Sequence, residues 1–428
     1  MPTVTVAGSN NQVYQLNYNT NDAAGYAQGL ESSINAQILA GSLTMSNYTS
    51  GKVAPAGATA SAVFFGGDTL AAGAVLVPNS VAAVVDSAAG PVSIWGGSGL
   101  QSVLAGSGGL SFYAASAPTG LQTIVAGDGA NWISTQSVGG GNYRINLGSG
   151  NDTVRIDTGN ATVNMGTGNN VLSLGNGSSV VVSVGADLIV GSSVAGGGGS
   201  DTVQVTSGRT TINPGSSNFT VFGNESNPLT MLRGSGTDLV AMGIGGGTVT
   251  AGSGGNSTII GGLNSPNGPA AYMTGTADGD KLYAIGYGNV VAVAGAGNET
   301  ITGAGNGPFG GAASHGSNSF TAGSGNDTLI SGAGQDTLTA GTGNALMVAG
   351  IAADTFAFQQ GKAGGSDTIS GFKVGVDTLL LTGYGFTPSS ALGTSLQLGG
   401  GTVLTFADGT TVTVAGVSNF SSSNIKVG

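Results

Sequence analysis

The sequence contains no cysteine and one histidine, His315. Without cysteine there is no disulfide framework, so packing, hydrogen bonds or a bound ion must hold the fold. With one histidine, Ser/His and Cys/His nucleophilic sets have little to draw on, and no His-Glu-x-x-His motif occurs. Charge is also scarce. Asp, Glu, Lys and Arg make up 7% of the chain, against roughly 25% in ordinary domains. Basic residues number 9 against 20 acidic ones, a net charge of −11, and no basic patch offers itself to nucleic acid. No stretch of about eighteen apolar residues is present, so no membrane-spanning helix is expected. Met1-Pro2-Thr3-Val4-Thr5-Val6 shows neither the basic nor the apolar region of a cleaved leader, which disfavours Sec export. Proline is limited to 11 residues and there is no Gly-X-Y period, which excludes collagen.

What is abundant is glycine, 83 of 428 residues, in a chain whose hydrophobic content of 39% is spread evenly. That combination argues against disorder. It suits many short strands separated by turns of Gly, Asn, Ser and Thr. The turns fall into a period at 322–348, where three nine-residue blocks run in tandem as 322–330, 331–339 and 340–348. Each reads small-Gly-x-Gly-Asn/Gln-Asp-Thr-Leu-x, the third losing its acid at Ala345. Glycines at offsets two and four (Gly323 and Gly325, Gly332 and Gly334, Gly341 and Gly343) allow positive φ and a sharp turn. Asp327 and Asp336 supply hard anionic oxygens which, with the carbonyls such a turn exposes, suit calcium. Asn326 belongs to the same turn. The following residues favour a short strand, with Leu329 and Leu338 facing inward. One block cannot bury its leucine alone, so blocks must stack into a solenoid.

These blocks resemble the repeats-in-toxin (RTX) calcium-binding nonapeptide family. The resemblance implies a parallel β-roll in which two blocks make one coil and ions sit between successive turns. Equivalent aspartates should then recur every eighteen residues. Asp336 is followed at that interval by Asp354, and Asp327 by Ala345, so one row continues and the other stops. The resemblance also implies calcium as the bound ion. It further implies export through a type I channel by an uncleaved C-terminal signal, and hence a secreted or cell-surface location.

The same register recurs at 147–155, with Gly148, Gly150 and Asp152, and at 196–204, with Asp201. Block 294–302 carries Glu299 in place of aspartate. Asn160, Asn169, Asn170, Asn256 and Asn344 are read as metal-free ladder residues, since an amide can bond within a turn and stack on the next asparagine. Coils of about twenty residues, mostly without aspartate, are expected over 61–145. Residues 22–40 carry Ala23, Ala27, Leu30, Ile34 and Ile38 on one helical face. Asn21 or Thr20 can cap that helix and Gly41 can close it, making a cover for an exposed sheet or coil edge. Toward the C-terminus, 353–358 and 366–381 follow D-x-F-x-F…D-x-I-x-x-F-x-x-G-x-D-x-L-x-L. That pattern is similar to the segment closing the roll in the family's secreted metalloproteases. It places Phe356, Phe358, Phe372, Leu379 and Leu381 in a sealing core. Residues 402–416 read as a hairpin turning at Asp408-Gly409.

The expected fold is all-β: a parallel β-helix or β-roll solenoid over 61–350, an α-containing N-terminal cap over 1–60, and a C-terminal β cap with the secretion signal over 351–428. The expected function is that of a calcium-binding structural protein of the cell surface or matrix, of surface-layer, fibre or adhesin type. It would associate with itself or with surface polysaccharide. No catalytic set supports an enzyme. His315 reads as a loop residue, the Asp278/Asp280 pair as a turn or calcium ligand rather than a glycosidase pair, and Trp95 and Trp132 as isolated. A β-helix enzyme acting on polysaccharide and a passive export-and-folding carrier are the alternatives.

Overall fold

The computed structural model describes every residue except 1, 8–12, 48–60, 66–73, 136–139, 196, 225, 264–267 and 304–315. His315 therefore lies outside the described residues. The chain divides into two compact units, Met1–Asn218 and Phe219–Gly428. The described residues are almost entirely β, with two α-helices, and between them the units carry about 15 turns of β-solenoid.

Strands of three to six residues alternate between two parallel sheets in each unit. Each strand contributes one central inward side chain, and the register stacks these into columns. In the first unit Val103, Ile124, Ile145 and Val163 form one column, and Phe112, Ile133, Val154 and Leu172 the other. In the second unit Leu282, Ile301, Leu329 and Met347 face Phe320, Leu338, Phe356 and Leu379. All of these are essentially fully buried, each contributing roughly 1.5–3 kcal/mol of transfer free energy. Asn326 pairs with Asn344, Thr337 with Thr355 and Asn142 with Asn160, an advance of eighteen residues each time. Elsewhere the advance varies: Leu121 pairs with Asn142 and Thr300 with Thr328. The strand register is kept while the turns absorb the difference in length.

The helix spans Asn21–Leu39. The Thr20 side chain caps it by accepting the Ala23 N–H, and Asp22 lies in its first turn. It ends in paired bonds from Gly41 N–H to Ile38 C=O and from Ser42 N–H to Gln37 C=O, with Gly41 at φ 71°. The helix and the antiparallel hairpin Thr3–Ala7/Val13–Asn17 lie against the outer face of the first sheet, not over an edge. There Ala27, Ile34, Leu16 and Tyr18 pack with Phe64, Val85, Leu104 and Val125. The reason is in the outward positions of that sheet. They are apolar at Val85, Leu104 and Val125, and become Asn146 and Asn164 in the next coils.

At the other terminus, Gly401–Thr405 and Thr411–Ala415 form a hairpin whose turn places Gly409 at φ 90°. Thr411–Ala415 continues the first sheet beside Ser366–Ser370, and Ile425–Val427 continues the second beside Thr378–Thr382. Phe356, Phe358, Phe372, Leu379 and Leu381 are buried there. Phe372 stands between Phe356 and Phe420, with ring centroids 5.8 and 5.5 Å away. Among the described residues no helix is long and apolar enough to cross a membrane.

Candidate metal centre

Each strand is entered through a corner residue two positions before its central inward hydrophobe. Side chains two apart on a strand share a face, so the corner side chain also points into the solenoid. In the second unit Asn318, Asp336, Asp354 and Asp377 occupy the corners of one column. Asp238, Ser257, Asp280, Glu299, Asp327 and Asp367 occupy those of the other. The acids are buried: Asp327, Asp336 and Asp354 are 3%, 2% and 1% exposed.

The geometry of a corner explains its residue type. Asp336 Oδ1 accepts the N–H of Asn318, the corner of the preceding coil, at 2.8 Å, and Oδ2 accepts the Gly332 N–H of its own turn at 2.8 Å. Asp354 repeats this with Asp336 N–H at 3.1 Å and Gly350 N–H at 2.8 Å. Asp377 does so with Asp354 N–H at 2.9 Å and Lys373 N–H at 2.7 Å. On the opposite side Asp327 takes Glu299 N–H at 3.0 Å and Gly323 N–H at 2.7 Å. One carboxylate thus closes its own turn and ties it to the neighbouring coil through charge-assisted bonds. The Asp327 column is interrupted by Ala345, whose N–H reaches Asp367 Oδ1 at 2.7 Å.

The first unit builds its corners differently. Asn131 N–H donates to Asp152 Oδ1 at 2.8 Å, Asp152 N–H to Asn170 Oδ1 at 2.9 Å, and Asn170 N–H to Asp187 Oδ1 at 3.2 Å. Here the asparagines also donate. Asn131 Nδ2 reaches Gly127 O and Gly129 O at 2.9 and 2.8 Å, and Asn170 Nδ2 reaches Met165 O at 2.8 Å. Asp201, in the other column, accepts Ser179 N–H at 3.0 Å.

The turn glycines are required for a reason other than the one the sequence suggests. Gly323, Gly325, Gly341 and Gly343 are not in the positive-φ region, which in this motif is reached instead at Gly166 and Gly168. A Cβ on Gly341 would stand 2.0 Å from Gly323 O, and one on Gly343 2.0 Å from Gly325 O. Successive coils approach too closely for a side chain, so turn carbonyls line up coil over coil. Gly148 and Gly150 meet Gly127 and Gly129 in the same way. Gly332 and Gly334 are buried in the turn that Asp336 closes. Asn326 has its side chain outside. Its Nδ2 donates to Asn298 Oδ1 at 3.0 Å and its Oδ1 accepts from Asn344 Nδ2 at 2.8 Å, forming an exposed amide ladder. Asp278 and Asp280 part company: Asp278 is outside, bonded to Asn298, and Asp280 is fully buried at a corner.

Burial sets the electrostatics. It raises Asp152, Asp201, Asp238 and Asp336 to about 6 and Asp367 to about 7, opposed only by N–H and hydroxyl donors. Glu299 is raised by burial and by Asp327 beside it. No lysine or arginine acts on any of these, so each buried carboxylate lacks a cationic partner.

A hard cation suits this donor set. Among the described residues no three acids cluster, so carboxylates alone make no site. Carbonyl oxygens are plentiful in the stacked glycine turns, and calcium accepts mixed carbonyl and carboxylate oxygens. Asp152 Oδ2, Asp238 Oδ2 and Asp367 Oδ2 are buried and without a hydrogen-bond partner. Asp327, Asp336 and Asp354 use both oxygens, yet a carboxylate has about four lone-pair sites, so the N–H bonds leave room for an ion. The residues able to hold calcium are thus the corner acids with the carbonyls of glycine pairs such as Gly323/Gly325 and Gly341/Gly343.

Several corners escape the nine-residue period: Asp187, Asp238, Asp280, Asp367 and Asp377. The signal that finds them is an acid two residues before an inward hydrophobe, written Asp-Thr-hydrophobe at Asp367 and Asp377. That signal recurs at Asp152, Asp201, Asp327, Asp336, Asp354, Asp367 and Asp377 whatever the coil length.

Comparison with known proteins agrees with this geometry. No curated protein matches the chain. Residues 315–347 match the model of the RTX calcium-binding nonapeptide repeat, in 4 copies. Such repeats are calcium-binding motifs, and with the solenoid they point to a calcium-binding, type I-secreted, extracellular protein. This stretch, set in an all-β solenoid consistent with a β-roll, is thus similar to the RTX calcium-binding repeat.

Proposed function

We propose that the protein is a calcium-dependent structural component of a cell surface or extracellular matrix. The observation that carries this reading is the columns of buried carboxylates without cationic partners. They are built into a chain that is otherwise solenoid. Calcium, when bound, supplies the missing positive charge. The chain's own residues do the rest. Asp327, Asp336 and Asp354 fix the turns through backbone N–H groups, the inward columns supply the core, and Phe356, Phe372 and Phe420 close the end. Where calcium is scarce, unpaired acids keep the coils loose. Where it is abundant, sites of the extracellular type, with affinities of roughly 10⁻⁴–10⁻³ M, add their binding free energy to folding. The low charge and the long sheet faces suit a scaffold.

A calcium titration of the full chain, followed by far-ultraviolet circular dichroism and light scattering, tests this. Strand signal should rise with calcium, and scattering with it if the scaffold self-assembles. Asp336→Ala leaves the Asn318 and Gly332 N–H groups without acceptors, at roughly 1–3 kcal/mol each, and should shift the midpoint to higher calcium. An unshifted midpoint, or a second unit as well folded in chelator at pH 7.5 as in calcium, would remove the basis of the reading.

A further inference from the structure

Trp95 and Trp132, far apart in sequence, come together on the outer face of the first unit's second sheet. Strands Val92–Gly96, Leu110–Ala114 and Trp132–Ser134 are consecutive and parallel there. Trp95 stands opposite Tyr113, with ring centroids 5.6 Å apart and planes at 32°. Trp132 stands opposite Ser111 on the strand beyond. Trp95 is 46% and Trp132 37% exposed, and Leu76, opposite Trp95 on the preceding strand, is 61% exposed. The outward positions of the three strands carry Ser93, Trp95, Ser111, Tyr113, Trp132 and Ser134, of which Ser134 is buried, and none is charged; Arg155 stands opposite Ser134 on the next strand, at the border of the strip. The inward face of this sheet is already filled by Ile94, Phe112 and Ile133. The aromatic strip therefore adds little to the core, and a contiguous exposed apolar patch of this kind marks an interaction site.

The chemistry of the strip selects its partner. We propose that it binds an extended, uncharged polysaccharide of equatorially substituted pyranose rings. The C–H face of such a ring stacks on the negative face of an aromatic π-system, while serine hydroxyls can exchange hydrogen bonds with sugar hydroxyls. Two strand spacings of about 4.8 Å and an offset of two residues along the strand place Trp95 and Trp132 roughly 12 Å apart on a diagonal, a span of about two rings of an extended chain. A rigid sheet presents them without an ordering cost. The strip itself carries no charge, which disfavours a charged peptide or nucleic acid, and the one cation at its border is Arg155, opposite Ser134. The proposal rests on the surface or matrix reading only for where the glycan is met.

Trp95 and Trp132 are the chain's only tryptophans, so intrinsic fluorescence reports the strip directly. The calcium-loaded full chain is titrated with cellohexaose, chitohexaose and xylohexaose. A saturable change in tryptophan emission is expected with at least one of them. Trp95→Ala and Trp132→Ala should each weaken binding roughly tenfold, and Trp95→Phe much less, with circular dichroism unchanged in all three. Three results would overturn the proposal: no hexaose alters the emission; binding survives Trp95→Ala/Trp132→Ala; or the emission shifts with protein concentration alone, which assigns the strip to a second copy of the chain. None of these bears on the calcium titration, which tests the structural reading separately.

Discussion

The corner columns of the two units meet the same requirement with different side chains. In both, an oxygen must accept the N–H of the preceding corner. The first unit alternates, through Asn131, Asp152, Asn170 and Asp187. The second, after Asn318, runs Asp336, Asp354 and Asp377. Asparagine brings a donor with its acceptor, so Asn131 and Asn170 satisfy turn carbonyls and carry no charge into the interior. Aspartate brings two strong acceptors and a buried charge, which nothing basic offsets at Asp336 and Lys373 partly offsets at Asp377. The asparagine corner is complete in itself, whereas the aspartate corner is complete with a cation or a proton. The number of adjacent acidic corners, not the number of coils, should then set the dependence on calcium.

The largest effect expected from this difference is regional. With calcium chelated at pH 7.5, hydrogen exchange should accelerate across strands Ser319–Thr321, Asn326–Ile330, Thr337–Thr339 and Thr355–Gln359. Strands Leu121–Val125 to Val171–Asn176 should keep most of their protection. Uniform loss of protection in both units would break the comparison.

Protons should substitute for the cation, with a definite sign. Asp336 moves from 3.8 to about 6 and Asp367 from 3.8 to about 7 because burial disfavours the charged form. The folded chain therefore binds protons more tightly than the unfolded one. The stability this confers is complete below about pH 4 and is lost as pH rises through 6 to 7. A displacement from 3.8 to about 6 corresponds to roughly 3 kcal/mol for each such carboxylate. In chelator the melting temperature should fall between pH 5 and 8, and saturating calcium should flatten that slope. A melting temperature that rises with pH in chelator would contradict the burial of these acids.

Much of this was legible in the sequence, in proportion to how local the cause is. Glycine, aspartate and leucine at fixed offsets in 322–348 announce turn, corner and inward strand residue together, and the eighteen-residue advance from Asp336 to Asp354 is the one the coils adopt. The helix start was legible because a cap is a contact three residues long. What escaped depends on which coil lies above which. The glycine requirement at Gly341 comes from a carbonyl eighteen residues earlier. The helix covers a sheet face because Val85, Leu104 and Val125 align there. Trp95 and Trp132 come onto one face, two strands apart, only once coils of unequal length are stacked in register. Unequal turns hide such alignments from any fixed period, and the polar corner two residues before the inward hydrophobe, most often an acid in the second unit, marks the coils more faithfully.

The smallest effect comes from making a first-unit corner resemble a second-unit one. In Asn170→Asp the backbone partner is kept, since Oδ1 can still accept Asp152 N–H. The Nδ2 bonds to Met165 O and to Asp187 Oδ1 are lost, and a second carboxylate is set against Asp187, whose proton affinity burial already raises. In chelator at pH 7.5 this should destabilise the first unit by roughly 1–3 kcal/mol, from a lost buried hydrogen bond and like-charge repulsion. Lowering the pH to 5 should restore part of it, because one of the paired acids then takes up a proton. Calcium should restore it too, giving these coils a melting temperature more strongly dependent on calcium than the parent's. The readout is differential: chelator against calcium, in variant and parent, with exchange followed at Val171–Asn176. If Asn170→Asp is equally destabilised with and without calcium, a corner acid is not enough to create a calcium requirement, and the difference between the units must lie in their turns.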